Sequence, residues 1–286
     1  MKVLTQKRAV IGEGPVWNEI EQKLYFVNGI ECEILIYDFN SDALTVKKTP
    51  CPVSALAFDD KNRLIVSTPN GVFILNEDNS LTEIYDTKKY LIKNCNDLKV
   101  APNGDIFVGT MATNRKEQNK SELDGKLYRV SRNGVVSVLL ENLSLSNGLD
   151  WTEDGTKFYH TDSDASIIKE YNYDGISGDI VPTDRQVKVN GVDGFTISKN
   201  GNIYASCWAY GHVAVVDCKS MEIIKYIELP TEIPTSCAFC GKNLDVLAVT
   251  TASYNLDVKN DINAGFTFLL KSKEKGKTFH RFNGLL

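Results

Sequence analysis

Six short segments recur along this chain, and their spacing limits the folds open to it. Aligned on their first residue they read EGPVWNE from Glu13, SALAFDD from Ser54, NDLKVAPNG from Asn96, NGLDWTEDG from Asn147, DGFTISKNG from Asp193 and TSCAFCG from Thr235. Each is a polar residue followed by a short apolar strand that runs into a turn. Successive starts lie 41, 42, 51, 46 and 42 residues apart. A period of about 40–50 residues suits one blade of a β-propeller, whose small sheets bury their faces only by stacking on their neighbours. The spacing predicts an all-β, six-bladed propeller of four-stranded antiparallel blades, with residues 1–286 as one domain. Matching positions of successive blades ring the central axis. The six leading residues would then supply two carboxylates, two amides and two hydroxyls, which we read as the wall of a metal-assisted active site.

The strands between these markers are rich in β-branched and aromatic residues, as in residues 24–27 (LYFV), 72–75 (VFIL) and 246–250 (VLAVT). Asn103-Gly104, Asp154-Gly155 and Asn200-Gly201 are hairpin turn signals. Two polar insertions, 112–125 in blade 3 and 254–264 in blade 6, break the rhythm; the first accounts for the longest gap and is a candidate lid. Residues 1–12 read as a further strand. We expect it to pair with Thr278–Phe282 and so close the first blade onto the last, removing two sheet edges. Trp17, Trp151 and Trp208 read as core rather than sugar-stacking platforms, and Met111 as pocket floor or core.

Composition narrows the function. The chain is 42% hydrophobic and 24% charged, with a formal net charge of −5, which disfavours nucleic acid or an anionic membrane as partner. No stretch approaches the ~18 apolar residues of a membrane span, and the N-terminus lacks a signal-peptide pattern. Seven cysteines, an odd and scattered set, suit reduced thiols in a cytoplasmic protein. Cys237 and Cys240 form a C-x-x-C without the second ligand pair that a structural zinc site needs.

The three histidines, His160, His212 and His280, are too scattered for a histidine metal cage. His160 either faces the pocket or is a satisfied strand histidine. Glu13, Asn147 and Asp193 share one register at three blade starts and carry hard oxygen donors, suited to one divalent cation such as Ca²⁺, Mg²⁺, Mn²⁺, Fe²⁺ or Zn²⁺. Three protein ligands leave coordination positions for water and substrate, where a cation polarises a carbonyl and acidifies water.

Gly12-Glu-Gly-Pro-Val-Trp17, Asn96-Asp97 followed by Gly109-Thr-Met111, Ser146-Asn-Gly-Leu-Asp-Trp151, Asp193-Gly194, and Ser236-Cys237 with Phe239 and Gly241-Lys-Asn243 together resemble the regucalcin/gluconolactonase (senescence marker protein) family across nearly the whole chain. The resemblance implies hydrolysis of a small-molecule sugar lactone to an aldonic acid, by metal polarisation of the lactone carbonyl and attack of an activated water. It places Glu13, Asn147 and Asp193 as metal ligands, Asp193 also as candidate general base, and Asn96 against substrate or a metal-bound water. Animal members carry an arginine two residues before the Asn-Asp pair; here that position is Asn94, so a guanidinium clamp on the sugar is missing there. Glu117 and Glu122, in the insertion, are further candidates for substrate hydroxyls. We expect a monomer or weak dimer. Three alternatives stay open: a non-enzymatic cation-binding or protein-interaction propeller, a related metal-dependent esterase or phosphotriesterase, and a metal-free isomerase or synthase propeller.

Overall fold

The structure is a computed structural model that describes residues 1–5, 7–113, 115 and 123–284. Six four-stranded antiparallel sheets follow one another around an axis. After β1 (Lys2–Thr5), blade 1 is β2 (Gly12–Asn18), β3 (Lys23–Asn28), β4 (Glu33–Asp38) and β5 (Ala43–Lys48). Blade 2 is β6 (Ala55–Phe58), β7 (Leu64–Thr68), β8 (Gly71–Leu75) and β9 (Leu81–Glu83); blade 3 is β10 (Cys95–Val100), β11 (Ile106–Thr110), β12 (Gly125–Val130) and β13 (Val136–Leu143). Blade 4 is β14 (Ser146–Trp151), β15 (Lys157–Asp162), β16 (Ile167–Tyr173) and β17 (Ile180–Lys188); blade 5 is β18 (Val192–Ile197), β19 (Asn202–Cys207), β20 (His212–Asp217) and β21 (Glu222–Glu228). Blade 6 is β22 (Pro234–Cys240), β23 (Val246–Thr251) and β24 (Thr267–Lys271), completed by β1. Among the described residues the only helical element is a 3-10 turn, Ser163–Ala165, and no helix is long and apolar enough to cross a membrane.

The first strand of each blade is innermost. Burial runs outward in the same order: β14 and β18 are buried throughout, whereas the outer β17 and β21 are mostly exposed. Neighbouring blades meet through apolar faces. Val16, Tyr25 and Val27 of blade 1 pack on Leu56, Phe58 and Val66 of blade 2. Trp17 and Trp151 are each 1% exposed and hold edge-to-face contacts, Trp17 with Phe39 and Trp151 with Phe107 and Tyr173. Trp208 departs from the expectation: it follows the end of β19 at a blade rim and is only partly buried.

Closure departs from the expected pairing. β1 does complete the last blade, but its partner is β24, with Lys2 opposite Leu269 and Val3 opposite Phe268, not residues 278–282. Residues 267–271 (TFLLK) form the extended apolar run that β23 can take as its next ladder. Thr278–Phe282 instead carries its two phenylalanines three residues apart, which puts them on opposite faces of an extended strand. Residues 272–284 form a strap across the hairpin turns of one face. Lys199 N–H donates to Lys275 O (2.8 Å), Gly276 N–H to Leu244 O (2.8 Å) and Phe282 N–H to Phe58 O (3.0 Å). Phe282 is buried in the core shared by blades 2 and 3. The strap thus joins blades 5, 6 and 2.

Candidate functional site

The inner strands carry the ring residues at the ends away from the strap. Five of the six break register there: β-bulges fall between Glu13 and Val16, Cys95 and Leu98, Asn147 and Leu149, Val192 and Phe195, and Pro234 and Ser236. A bulge adds one residue to a strand and re-aims the side chains beside it. This irregularity turns Glu13, Asn147 and Asp193 toward one another. The residue after each is glycine, and at Gly194 the reason is steric: a Cβ there would collide with the Ser236 side chain of the next inner strand.

Asn147 and Asp193 are buried, and the Asn147 Nδ2 donates to Asp193 Oδ1. Glu13 keeps part of its surface open. Burial pushes the Glu13 carboxyl up to about 8, with the charge of Asp97 adding to the effect. Burial raises Asp193 well above the usual carboxylate range, as do the charges of Glu13 and Asp97, against the lowering effect of the Asn147 amide. Three acids therefore face one another with little water to separate their charges, an arrangement relieved by a cation. Among the described residues no three His, Cys, Asp or Glu side chains form a metal cluster by themselves; the donor set here is two carboxylates and an amide, hard oxygen chemistry that fits a divalent cation with open positions.

The remaining ring members do different work. Asn96 Nδ2 donates to Ser146 O (3.1 Å), tying blade 3 to blade 4. Ser54 Oγ donates to Asn96 O (2.9 Å) and Thr235 Oγ1 to Gly12 O. Both hydroxyls therefore fasten the backbone of the neighbouring strand that bears Asn96 or Glu13, and Ser54 also lines the cavity beside those two residues. A cavity of about 310 Å³ opens beside Glu13 and Asn96, walled by Ile30, Pro52, Val53 and Pro69.

Asn94 lies half-buried on the rim with φ +53°; its backbone N–H goes to Pro69 O (2.8 Å) and its carbonyl accepts from Met111 (2.9 Å). Met111 is 41% exposed, so it is neither floor nor core but rim. Glu117 and Glu122 lie outside the described residues. His160 is 2% exposed, with Nε2 2.7 Å from Ser146 Oγ; burial, then Lys169, drives its imidazole down to about 3. It is a satisfied strand histidine bonded to Ser146 and opposite Leu149 rather than a pocket residue. Cys237 and Cys240 are buried free thiols.

Sequence reading missed a second tier. Three residues after Asn96, Asn147 and Asp193 stand Lys99, Asp150 and Thr196, and they form one network. Asp150 Oδ2 accepts from Ile197 N–H (2.8 Å) and Thr196 Oγ1 (3.2 Å), and lies 3.2 Å from Lys99 Nζ. Lys99 Nζ also reaches Phe195 O (2.8 Å). Lys277, from the strap, sits 2.8 Å from Asp150 Oδ1. Burial opposes the Asp150 charge, but Lys277 and Lys99 overcome it and hold the carboxyl well below its ordinary range. Asp97 lies between the tiers: burial pushes it up to about 6 despite the pull of Lys99. The tier fastens together the strands that carry Asn96, Asn147 and Asp193. The shared offset of three was a legible signal for Lys99 and Asp150; Lys277, distant in sequence, had none.

Comparison with known proteins agrees with this fold. Residues 11–253 match the SMP-30/Gluconolactonase/LRE-like region. The chain is 30% identical over 260 residues to the pentonolactonase XacC of Haloferax volcanii, covering 85% of this chain and 81% of that protein. It is 29% identical over 274 residues to regucalcin of Bos taurus, covering 94% and 89%. A solved structure of a calcium-binding protein, regucalcin from Agrobacterium tumefaciens, superposes with a TM-score of 0.87 at 25% identity over 98% of this chain and 96% of that one. With a six-bladed propeller in hand and a family match over residues 11–253, well over half of the chain, this chain belongs to the SMP-30/gluconolactonase/LRE-like family.

Proposed function

We propose that this chain is a divalent-cation-dependent hydrolase that opens sugar lactones to aldonic acids. The observation that carries the reading is the convergence of Glu13, Asn147 and Asp193 from three inner strands, with both carboxyls raised by burial and by acidic neighbours. The relatives named pentonolactonase and regucalcin support the substrate class and the cation. Glu13, Asn147 and Asp193 would hold the cation, which when bound supplies Lewis-acid polarisation of the lactone carbonyl and a more acidic water.

The chain's own residues do the rest. Asn147 donates to Asp193 Oδ1 and fixes that carboxylate's orientation. Asp193 accepts a proton from the attacking water as its oxygen bonds to the carbonyl carbon; such base assistance is worth about 10²–10⁴-fold. The ring C–O bond then breaks, and the departing ring oxygen takes the proton held on Asp193 to become the hydroxyl of the open acid, which returns Asp193 to its carboxylate. Asn96, beside Glu13 at the cavity, orients the substrate. The apolar wall of Ile30, Pro52, Val53 and Pro69 limits competing water.

The test is acid release from a panel of aldonolactones, by protein stripped with chelator and resupplied in turn with Ca²⁺, Mg²⁺, Mn²⁺, Zn²⁺ and Fe²⁺. Turnover restored by a cation supports the reading and identifies the ion. Folded protein that never exceeds the spontaneous rate with any ion refutes it and leaves a binding propeller.

A further inference from the structure

Arg115, which follows β11, stands on the rim of the site beside blade 4. Arg115 donates from Nε to Asp164 Oδ2 (2.7 Å) and from Nη2 to Asp164 Oδ1 (2.6 Å), a two-point fork. Its Nη1 lies 3.7 Å from Met111 Sδ. Both anchors belong to the blade ends beside Asn147. Asp164 sits in the turn that follows β15, three residues past Thr161, the register partner of Asn147. Asp164 also accepts from Ser144 Oγ, while Asp162 accepts the N–H groups of Ser144 (2.7 Å) and Leu145 (3.0 Å). Met111 bridges to Leu145. The guanidinium is therefore braced on the rim of blade 4, within the field of Asp193, and its side chain is 31% exposed.

A braced planar donor set at the edge of a buried oxygen cluster is built to meet acceptor oxygens on whatever occupies that cluster. A lactone bound there offers its ring hydroxyls. We infer that Arg115 is the specificity-determining residue for polyhydroxylated lactones, its guanidinium donating to substrate hydroxyl oxygens while Asp164 holds it in position. This rests on the lactonase reading above. A site that donates to substrate hydroxyls discriminates strongly against an analogue lacking them, because the donors are then left without acceptors.

The experiment compares D-glucono-1,5-lactone with δ-valerolactone, the same six-membered ring without hydroxyls, and measures kcat and KM for wild type, Arg115→Met, Arg115→Lys and Asp164→Asn. Inhibition by the ring-opened acids, gluconate and 5-hydroxyvalerate, supplies the same comparison where the bare lactone turns over slowly. Arg115→Met is expected to lose about 10- to 100-fold in kcat/KM on the hydroxylated lactone, mostly in KM, and less than about twofold on the bare ring. Arg115→Lys is expected not to restore the loss, because an ammonium cannot form the two-point fork. Asp164→Asn should fall between. Equal losses on both rings, or none on the hydroxylated one, overturn the assignment. A wild type that opens neither lactone, and binds neither acid, removes the lactonase reading and this inference with it.

Discussion

Replacing Glu13 with glutamine should make the cation-free protein more stable above neutral pH while abolishing its response to cation. Glu13 ionises near 4.5 in an unfolded chain and near 8 in the fold. A carboxyl raised in this way contributes stability that is complete below about pH 4.5 and is lost as pH rises through 8. Each pH unit in that window costs about 1.4 kcal/mol, so by pH 8 wild type has lost on the order of 4 kcal/mol at this position relative to a neutral amide of the same shape. At roughly 2 °C per kcal/mol for a chain of this size, Glu13→Gln should melt about 8 °C above wild type at pH 8 in chelator, and level with it at pH 4.5. The other titrating groups occur in both proteins, so the difference isolates Glu13 and its coupling to Asp97 and Asp193. A cation at a hundred times its Kd should raise wild type by about 2.7 kcal/mol and leave the variant unmoved. Thermal melts at half-unit pH steps, with chelator and with each cation, measure both effects. A pH-independent gap, or a variant less stable than wild type at pH 8, would falsify the picture of acids forced together at the axis.

Three further outcomes follow from other parts of the molecule. Asp150→Asn leaves Lys99 and Lys277 buried without their counter-charge and should cost about 3–5 kcal/mol in urea unfolding; because the Asp150 carboxyl is depressed in the fold, its contribution is present above its unfolded value of 3.8 and lost as pH falls below it, so the difference should shrink in acid. Gly194→Ala forces blade 5 away from Ser236, with an expected loss of about 1–3 kcal/mol and a fall in kcat larger than in Gly175→Ala, whose added Cβ meets only the Tyr173 ring at 3.9 Å. The imidazole of His160, held neutral down to about 3, should show no NMR titration between pH 5 and 8; an inflection near 6.5 would mean that water reaches the ring.

The blade starts were legible because each pairs a polar residue with an apolar strand at a steady spacing, and Glu13, Asn147 and Asp193 do converge in space. That convergence depends on bulges, which a period-two pattern does not reveal; the Asp-Gly and Asn-Gly pairs at 193 and 147 were their trace. Of the two hydroxyls read as wall residues, Ser54 does line the cavity whereas Thr235 is buried against Gly12 O, a difference that register alone does not reveal. The closure error had a similar origin. Both C-terminal segments contain phenylalanines, and only the unbroken extended run of 267–271 could continue the ladder. Arg115 and Lys277 were illegible because both act across large sequence distances, through partners that no repeat relates to them.

The strap has a consequence for traffic. Between its residues 277–281 and the inner strands lies a cavity of only about 50 Å³, with room for a few ordered waters. The strap therefore narrows the axial passage on its own face, which favours entry from the opposite rim, where Glu13, Asn147 and Asp193 lie.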